Sequence, residues 1–525
     1  MTPKDARVLI VGAGPTGLLL AAELHRRGVP CRLIDAHDAP LHWDRATVVH
    51  PRSLEVFESL GILDPFLAIG VKQRTARLHS GGDVLGVIDL ATCGSRHGFN
   101  LGISEEVTES ILTDYLRRRG GDVMRATRLV ALEQRRDGIV AAIESGGAHE
   151  ETSVDWVVGC DGLHSTTREL SGIDLAGHDI PEPWAVFDVT LRGWSEPFEA
   201  NYAYLEAIPV ILTALPKERW RVYLRPSGPD SDLVADALAT IGRYHPEVAF
   251  DGVANPTRFH CHTKVATRYR SGRVLLAGDA AHVCSPSQGH GMNSGLQDAF
   301  NLAWKLALVC SGESSADLLD SYEVERRPVA ETITASGDAA EHAHTLVDPA
   351  ERRARDRELR RVFADPTSRH HEVIAEAELD IDYSASPIVM GDTDATLHPG
   401  GRLPDTVPVR FPNGERCFLH ELAHRAGHTA LVIAGSCDGA DGVAGVEESV
   451  RAAADPSVIE TTVVLASEPS DERWPRLDGT TSEALGVDGI AVLAVRPDGH
   501  VGLRADRDHA RSLVAYQSLL RSGRR

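Results

Sequence analysis

The sequence predicts an α/β chain in which a doubly wound parallel sheet is interrupted by an antiparallel one. Three observations predict it. A β-branched run, Arg7-Val8-Leu9-Ile10-Val11, passes directly into a glycine turn and then a helix. Between Trp184 and Pro226 the pattern changes to short alternating runs separated by Pro and Gly. At Arg273-Val274-Leu275-Leu276-Ala277-Gly278-Asp279 the parallel-strand pattern returns.

Composition bounds the function classes. The chain has 525 residues, of which 42% are apolar and 25% charged, as in a folded soluble protein of three or four units. Its 54 basic and 76 acidic residues give a net charge of −22. That argues against a general binder of nucleic acid or anionic membranes, since phosphates attract a net basic surface. Only five of the basic residues are lysines, a bias that a GC-rich bacterial genome explains. The eight cysteines form no Cys-x-x-Cys pair, which disfavours a zinc ribbon, a dithiol centre or a disulfide scaffold and suggests the cytoplasm. Lys4 and Arg7 before the apolar run Val8 to Ala22 mimic a signal peptide, but the glycine turn interrupts that run. No other apolar stretch is long enough to span a bilayer.

In chain order, the first strand and glycine turn lead to a helix from Leu18 to Arg27, stopped by Gly28, and a second strand, Cys31 to Asp35. Val154 to Gly159 reads as another strand, closed by a turn at Asp161-Gly162. The antiparallel runs are Ala185 to Leu191, Asn201 to Leu205, Val210 to Leu215 and Arg221 to Leu224. A long helix is expected from about Gly291 to Cys310, with Leu296, Ala299, Phe300, Ala303 and Ala307 at helical spacing. Pro349 to Asp365, dense in charge, reads as a solvated helix or linker. From about Gly400, strands at 429–433, 461–465 and 489–495 suggest a further small α/β domain.

Gly12-x-Gly14-x-x-Gly17 carries the first chemistry. The first glycine permits a tight turn, the second lets a pyrophosphate approach the backbone, and the third packs helix against strand. Pro15 and Thr16 open the helix, whose N-terminus offers unpaired N–H groups to an anion. Asp35 ends the second strand, where a carboxylate can accept from an adenosine ribose. This signal alone leaves FAD and NAD open. No second such motif follows a strand, which disfavours a reductase with two dinucleotide domains.

Two further motifs follow in order: Asp161-Gly162-Leu163-His164-Ser165-x-x-Arg168, and Gly278-Asp279 with Pro286-Ser287-Gln288-Gly289-His290-Gly291-Met292-Asn293. Gly295-Leu296-Gln297-Asp298-Ala299-Phe300-Asn301-Leu302-Ala303-Trp304-Lys305-Leu306 and Tyr322-x-x-Glu325-Arg326-Arg327-Pro328 continue the pattern. As a set, over the whole chain, these motifs resemble the class A flavoprotein aromatic hydroxylases, the family of p-hydroxybenzoate, phenol and aromatic polyketide hydroxylases.

The resemblance implies an FAD-binding Rossmann-like domain, an inserted antiparallel-sheet substrate domain and a thioredoxin-like C-terminal domain. The expected boundaries are 1–175 with 270–395, then 176–269, then 396–525. It implies that Asp279 holds the ribityl chain of FAD, and that Gly289, Gly291, Met292 and Asn293 lie along the flavin. The helix after them would direct its positive end at the pyrimidine ring, where reduced flavin carries negative charge. Asp161 and Gly162 contribute to FAD binding in relatives and are implicated with the pyridine nucleotide. An arginine matching Arg45 lies by the FAD phosphates. Thr47 stands where phenol hydroxylase relatives have an aspartate base, and Glu105 where relatives often have Gln. His50 is a candidate base for a phenol, with a structural histidine as the equal alternative. Arg221 and Tyr223 alternate with Arg225 onto one strand face and are candidates to meet flavin and substrate; Tyr204 is a weaker one. The carbonyl of Pro286 would orient a substrate hydroxyl.

The implied activity is an FAD-dependent monooxygenase that hydroxylates a phenolic or polyketide aromatic with NAD(P)H and O2 through a flavin C4a-hydroperoxide. The alternatives are a Baeyer–Villiger or epoxidising enzyme on the same scaffold, and, from another class, a non-catalytic flavin-binding assembly protein. His260-Cys261-His262 lacks a third ligand at motif spacing, so no metal is expected. Ser165 and Ser285 lack a nucleophile elbow. The expected partners are a small aromatic substrate, O2 and NAD(P)H, in a cytoplasmic monomer or homodimer. Against the acidic background, arginines such as Arg45 and Arg168 are places to look for the NAD(P)H groove.

Overall fold

A computed structural model describes residues 6–40, 46–392, 394–435, 440–467, 473–477 and 485–523. Arg45 and Cys437 lie outside the described residues. The chain divides into two compact units. The first comprises Met1–Ala21, Arg32–Asp298 and Val329–Leu379; the second comprises Ala22–Cys31, Ala299–Pro328 and Asp380–Arg525.

In the first unit, Val8–Val11 pairs in parallel with Trp156–Gly159, which pairs in parallel with Val274–Leu276. On the other side of Val8–Val11 lie Cys31–Ile34 and then Val123–Met124. The strand order therefore reverses at Val8–Val11. In an open α/β sheet, the carboxyl ends of the strands at such a reversal form the ligand crevice. Val8, Leu9 and Ile10 are fully buried, which is why this strand reads as an unbroken apolar run. A meander that the sequence reading did not resolve, Thr127–Gln134, Ile139–Ser145 and Ala148–Val154, covers one face. Its Leu129, Ile139, Ala141 and Ile143 pack on Leu9, Val11 and Val157.

The second sheet of this unit has seven strands: Ala249–Phe259, Trp184–Arg192, Arg219–Leu224, Val210–Leu215, Ala200–Tyr204, Thr75–Ser80 and Asp83–Asp89. All four expected runs are strands. The sheet also extends beyond 176–269, because Thr75–Ser80 joins Ala200–Tyr204 in parallel. One face buries Phe187, Val189, Tyr202, Tyr204, Leu212, Trp220, Val222 and Leu224 in a core shared with the helix Leu233–Ile241. Pro349–Ala364 is a helix, and not simply a solvated one. Its Arg355 is buried and donates to the Leu205 carbonyl at 2.8 Å and the Ser80 hydroxyl at 3.0 Å.

The second unit carries a mixed seven-stranded sheet in the order Arg416–Phe418, Pro408–Arg410, Arg476–Leu477, Ile459–Ser467, His428–Ala434, Ile490–Val495, Val501–Ala505. Helices Ala440–Ala453 and His509–Ser522 contribute Val443, Val450, Leu513, Tyr516 and Leu520 to its core. A buried ionic network also lies here. Lys305 Nζ is 2.6 Å from Glu325, and Arg496 donates to both Glu325 oxygens at 2.8 Å and pairs with Asp498. Trp304 Nε1 donates to Asp498 at 3.0 Å. Such groups tolerate burial only when every charge is paired. No helix among the described residues is long and apolar enough to cross a membrane.

Candidate functional site

Three glycine turns leave the carboxyl ends of three adjacent parallel strands, and the structure fits them to one another. Gly12 has φ +100°, and a Cβ there would lie 2.2 Å from the Cys160 carbonyl oxygen. The first turn thus needs glycine to approach the second. Thr16 performs the matching task toward the third: a Cβ on Gly278 would come within 2.6 Å of Thr16 Oγ1, and one on Gly295 within 2.4 Å. Gly17 packs on Gly12, where a Cβ would meet the Gly12 oxygen at 2.0 Å. Gly14 differs. Among the described residues, a Cβ there would meet no atom nearer than Glu109 Oε1 at 3.8 Å. No packing by the described residues excludes a side chain at Gly14, as expected where a glycine serves to let a pyrophosphate approach. Pro15 is the first residue of the helix Pro15–Arg26, a position that suits its missing N–H.

The acidic residues divide into two kinds. Asp35 is buried and braces the turn itself, accepting from Ala13 N at 2.7 Å and His37 N at 2.9 Å, with Arg125 at 3.5 Å. Asp161 caps the short helix after its turn, accepting from Thr167 N at 2.9 Å, Thr167 Oγ1 at 3.0 Å and Ser165 Oγ. Gly162 follows at φ +78° with nothing within 4 Å of a built Cβ. Asp279 alone among the three is exposed at its turn. Behind it, Asp298 is fully buried, accepting from Gly278 N at 3.0 Å and lying 2.7 Å from His282 Nε2. Arg168 ties two motifs together, donating to Leu163 O at 2.7 Å and Ala280 O at 3.1 Å. Burial lowers the Arg168 pKa against the pull of Asp161 and Glu169. This arginine is an internal clamp, and the expectation that it lines an NAD(P)H groove is corrected.

The third motif continues through Ser285, Pro286–Gln288 and Gly289, the last at φ +74°, into the helix His290–Ser311. Pro286 is half-buried, and its carbonyl accepts from Gly289 N at 3.1 Å. Gly291 and Met292 are half-buried in the first turn of the helix. Asn293 is fully buried and acts as a brace: it accepts from His50 N and donates to Val48 O and Gly289 O, each at 2.9 Å. Glu341, which no motif marks, fixes the same loop to the sheet. It accepts from Ser285 at 3.0 Å, Ser287 at 3.1 Å and Trp184 Nε1 at 3.0 Å, and it pairs with Arg225. The only sequence trace of this arrangement is the pair of serines flanking Pro286.

The sheet face opposite the helix carries two rows set by register. One row is Val186, Tyr223, Ile211 and Ala203; the next is Asp188, Arg221, Thr213 and Asn201. The Tyr223 hydroxyl lies 3.0 Å from Thr47 Oγ1, in the segment that Asn293 holds to Gly289. Arg221 is engaged by Asp188 through two hydrogen bonds, at 2.7 and 3.0 Å, so its charge is already paired. Tyr204 faces the opposite, helix-packed core and bonds His245 at 2.9 Å, which removes it from the candidates. His50 is fully buried, and both ring nitrogens are sealed inside the protein. A base for a bound phenol must present a nitrogen to a space the phenol can enter, so we withdraw His50 from that role.

The crevice at the strand reversal, the three fitted glycine turns and the exposed Asp279 have the features of a dinucleotide-binding α/β protein. The comparisons with known proteins specify it. A family model described as an FAD binding domain matches residues 5–336. Pentachlorophenol 4-monooxygenase of Sphingobium chlorophenolicum is 36% identical over 343 residues, 63% of this chain and 63% of that relative's length. 6-Methylpretetramide 4-monooxygenase of Streptomyces rimosus is 32% identical over 531 residues, 97% of this chain and 92% of that one. The solved structure of the anhydrotetracycline hydroxylase OxyS from Streptomyces rimosus aligns with a TM-score of 0.76 at 27% identity, covering 98% of this chain and 99% of that one. The chain belongs to the FAD-binding-domain family. It is an FAD-dependent monooxygenase related to the aromatic and polyketide hydroxylases.

Proposed function

We propose that this enzyme hydroxylates a phenolic, polycyclic aromatic substrate of the polyketide type, with NAD(P)H as reductant and O2 as the oxygen source. Bound FAD supplies the redox chemistry: it takes up reducing equivalents from NAD(P)H and activates O2 for transfer of one oxygen atom. The chain's own residues bind and orient. Backbone N–H groups around Gly14 and the start of Pro15–Arg26 receive the pyrophosphate. Asp279 would accept from ribityl hydroxyls. The N-terminus of His290–Ser311 would stabilise negative charge on the bound flavin, with Gly289, Gly291 and Met292 as its bed.

One observation carries the substrate reading. The segment Thr47–His50 is tied at one end to Tyr223 of the sheet and at the other, through Asn293, to Gly289. It joins the flavin bed to the two-row face. A fused aromatic ring suits the apolar row of Val186 and Ile211, and its hydroxyls suit the neighbouring polar row and the Thr47–Tyr223 hydroxyl pair. The relatives named for 6-methylpretetramide and anhydrotetracycline support this class, and the one named for pentachlorophenol supports a phenolic ring. We read 1–175 with 270–395 as the FAD domain, 176–269 as the inserted substrate domain and 396–525 as a thioredoxin-like unit that packs rather than exchanges disulfides.

The test is NAD(P)H oxidation by the FAD-loaded enzyme across simple phenols and tetracyclic polyketides, with mass analysis of products. The expected result is stimulation by a polycyclic phenol and a product heavier by one oxygen atom. Stimulation without oxygen incorporation by any member would overturn the hydroxylase assignment. Asp279→Ala is expected to abolish FAD retention, and unchanged occupancy would remove Asp279 from the site.

A further inference from the structure

The geometry points to a divalent transition-metal site of the zinc class, formed by His50, His290 and Glu378. The three are 0%, 5% and 3% exposed, and one ligand atom of each lies within 4.8 Å of the other two. They come from three segments: His50 caps the helix Pro51–Ser59, His290 begins the helix His290–Ser311, and Glu378 follows the helix Pro366–Glu376.

His50 is the orphaned member of the cluster. Among the described residues, neither of its ring nitrogens has a hydrogen-bond partner, and both are buried. A neutral imidazole must carry a proton on one nitrogen and a lone pair on the other, so both a donor and an acceptor are stranded. Each stranded group forgoes its hydration without a replacement, and such an orphan calls for an explanation such as an ion. Its ring stands beside that of His290, with centroids 4.9 Å apart and planes 23° from parallel. His290 Nδ1 is already 2.8 Å from Glu378 Oε1, a spacing that a shared hydrogen now bridges and a cation would bridge equally well.

The supporting shell has the features of a metal site. Gln297 donates to the second Glu378 oxygen, which orients the carboxylate. Asn293 fixes the His50 backbone. Glu378 is held at φ +57°, a conformation non-glycine residues rarely adopt. Two imidazoles and one carboxylate suit a borderline ion such as zinc, at about 2.1 Å from each ligand, and not magnesium or calcium, which prefer oxygen. Ligand atoms at about 2.1 Å around a tetrahedral ion stand about 3.4 Å apart, so binding draws together any pair that now lies wider than that within the 4.8 Å limit. A Cβ on Gly289 would lie 3.3 Å from His50 Nε2, so the ion would also steady the turn beneath the flavin bed.

The test uses the FAD-loaded full-length enzyme. After exposure to zinc and removal of the unbound metal, elemental analysis is expected to find about one ion per chain. Cobalt is expected to give visible absorption to the red of the flavin bands. Both signals should fall at least tenfold in His290→Ala and in Glu378→Ala, and persist in the His260→Ala, His262→Ala double variant. Absence of stoichiometric zinc in the unaltered enzyme, or its retention in both single variants, would overturn the proposal. If those variants do not fold, the melting temperature of the unaltered enzyme decides. Zinc should raise it, EDTA should reverse the rise and magnesium should have no effect; no rise with zinc overturns the site.

Discussion

Arg168 donates a guanidinium N–H to the main-chain carbonyl of Ala280 at 3.1 Å, across 112 residues of sequence. A second N–H from the same side chain reaches Leu163 at 2.7 Å. The residue thereby ties the Asp161-Gly162 turn to the Gly278-Asp279 turn, two of the three turns proposed to hold FAD. Because the guanidinium is a planar fork, a lysine cannot satisfy both carbonyls in the same geometry. Arg168→Lys is expected to weaken FAD binding at least tenfold while leaving the far-ultraviolet circular dichroism unchanged. Flavin fluorescence titration measures it, and an unchanged Kd would show that the two turns hold their spacing without the clamp.

The glycines of the first motif are expected to separate by mechanism. At Gly12 and Gly17 an added methyl group collides with backbone oxygens at 2.2 and 2.0 Å, so Gly12→Ala and Gly17→Ala should lower yield and melting temperature even without flavin. At Gly14 the described residues leave room, which the proposed site fills with the FAD pyrophosphate. Gly14→Ala should therefore fold with a near-normal apoprotein melting temperature and lose FAD affinity. Equal destabilisation of all three apoproteins would contradict this division.

The parts of this site that were legible in the sequence are those that a local pattern encodes. Strand, turn and helix around Gly12, the turn at Gly162 and the run from Gly278 to Asn293 each sit in a continuous stretch. Side chains that meet across long separations left no such trace. Glu341 reaches Ser285 and Trp184 from the helix Asp320–His344, and no spacing rule connects them. The same holds for His50, His290 and Glu378; of the His260 and His262 pair, His262 bonds Asp179 at 2.6 Å and His260 is exposed. Alternation placed Arg221 and Tyr223 on one face, but only register showed that Asp188 stands opposite Arg221. The meander from Thr127 to Val154 went unseen because its outer strand is largely exposed and polar.

That pairing leads to a third expectation. Arg221 and Asp188 are both nearly buried, with side chains 8% and 13% exposed. Removing one partner of such a pair leaves an uncompensated charge, which costs about 3–5 kcal/mol, whereas replacing both by apolar groups is often close to neutral. Arg221→Met should therefore destabilise strongly, and the double variant Arg221→Met, Asp188→Leu should recover most of the loss. If the arginine only braces the sheet, the double variant also keeps a near-normal KM for the aromatic substrate. A stable double variant whose KM rises tenfold or more would return Arg221 to the substrate site.

The ionic network of the second unit sets its response to acid. Burial alone would raise the Glu325 pKa, but Arg496 and Lys305 outweigh it and hold the group at about 2, below its ordinary 4.5. Glu23 is held at about 2 in the same way, with Arg27 and Arg26 outweighing its burial. For both carboxylates the unfolded chain binds more protons than the folded one between pH 4.5 and 2. Their contribution to stability is therefore complete above pH 4.5 and is lost as the pH falls through that window. Lys305 has the opposite consequence. Burial lowers it to about 8 against the pull of Glu325, so between about 8 and 10.5 the folded chain holds fewer protons, and stability gains with rising pH. Scanning calorimetry from pH 3 to 7 should show the melting temperature falling steeply below pH 4.5. Glu325→Gln should destabilise by about 3–5 kcal/mol at pH 7, because it leaves Lys305 and Arg496 short of a partner in the core. It should also flatten the acid limb, because one of the shifted carboxylates is gone. An acid limb of unchanged slope in that variant would mean that Glu325 is not held in its charged form by the fold.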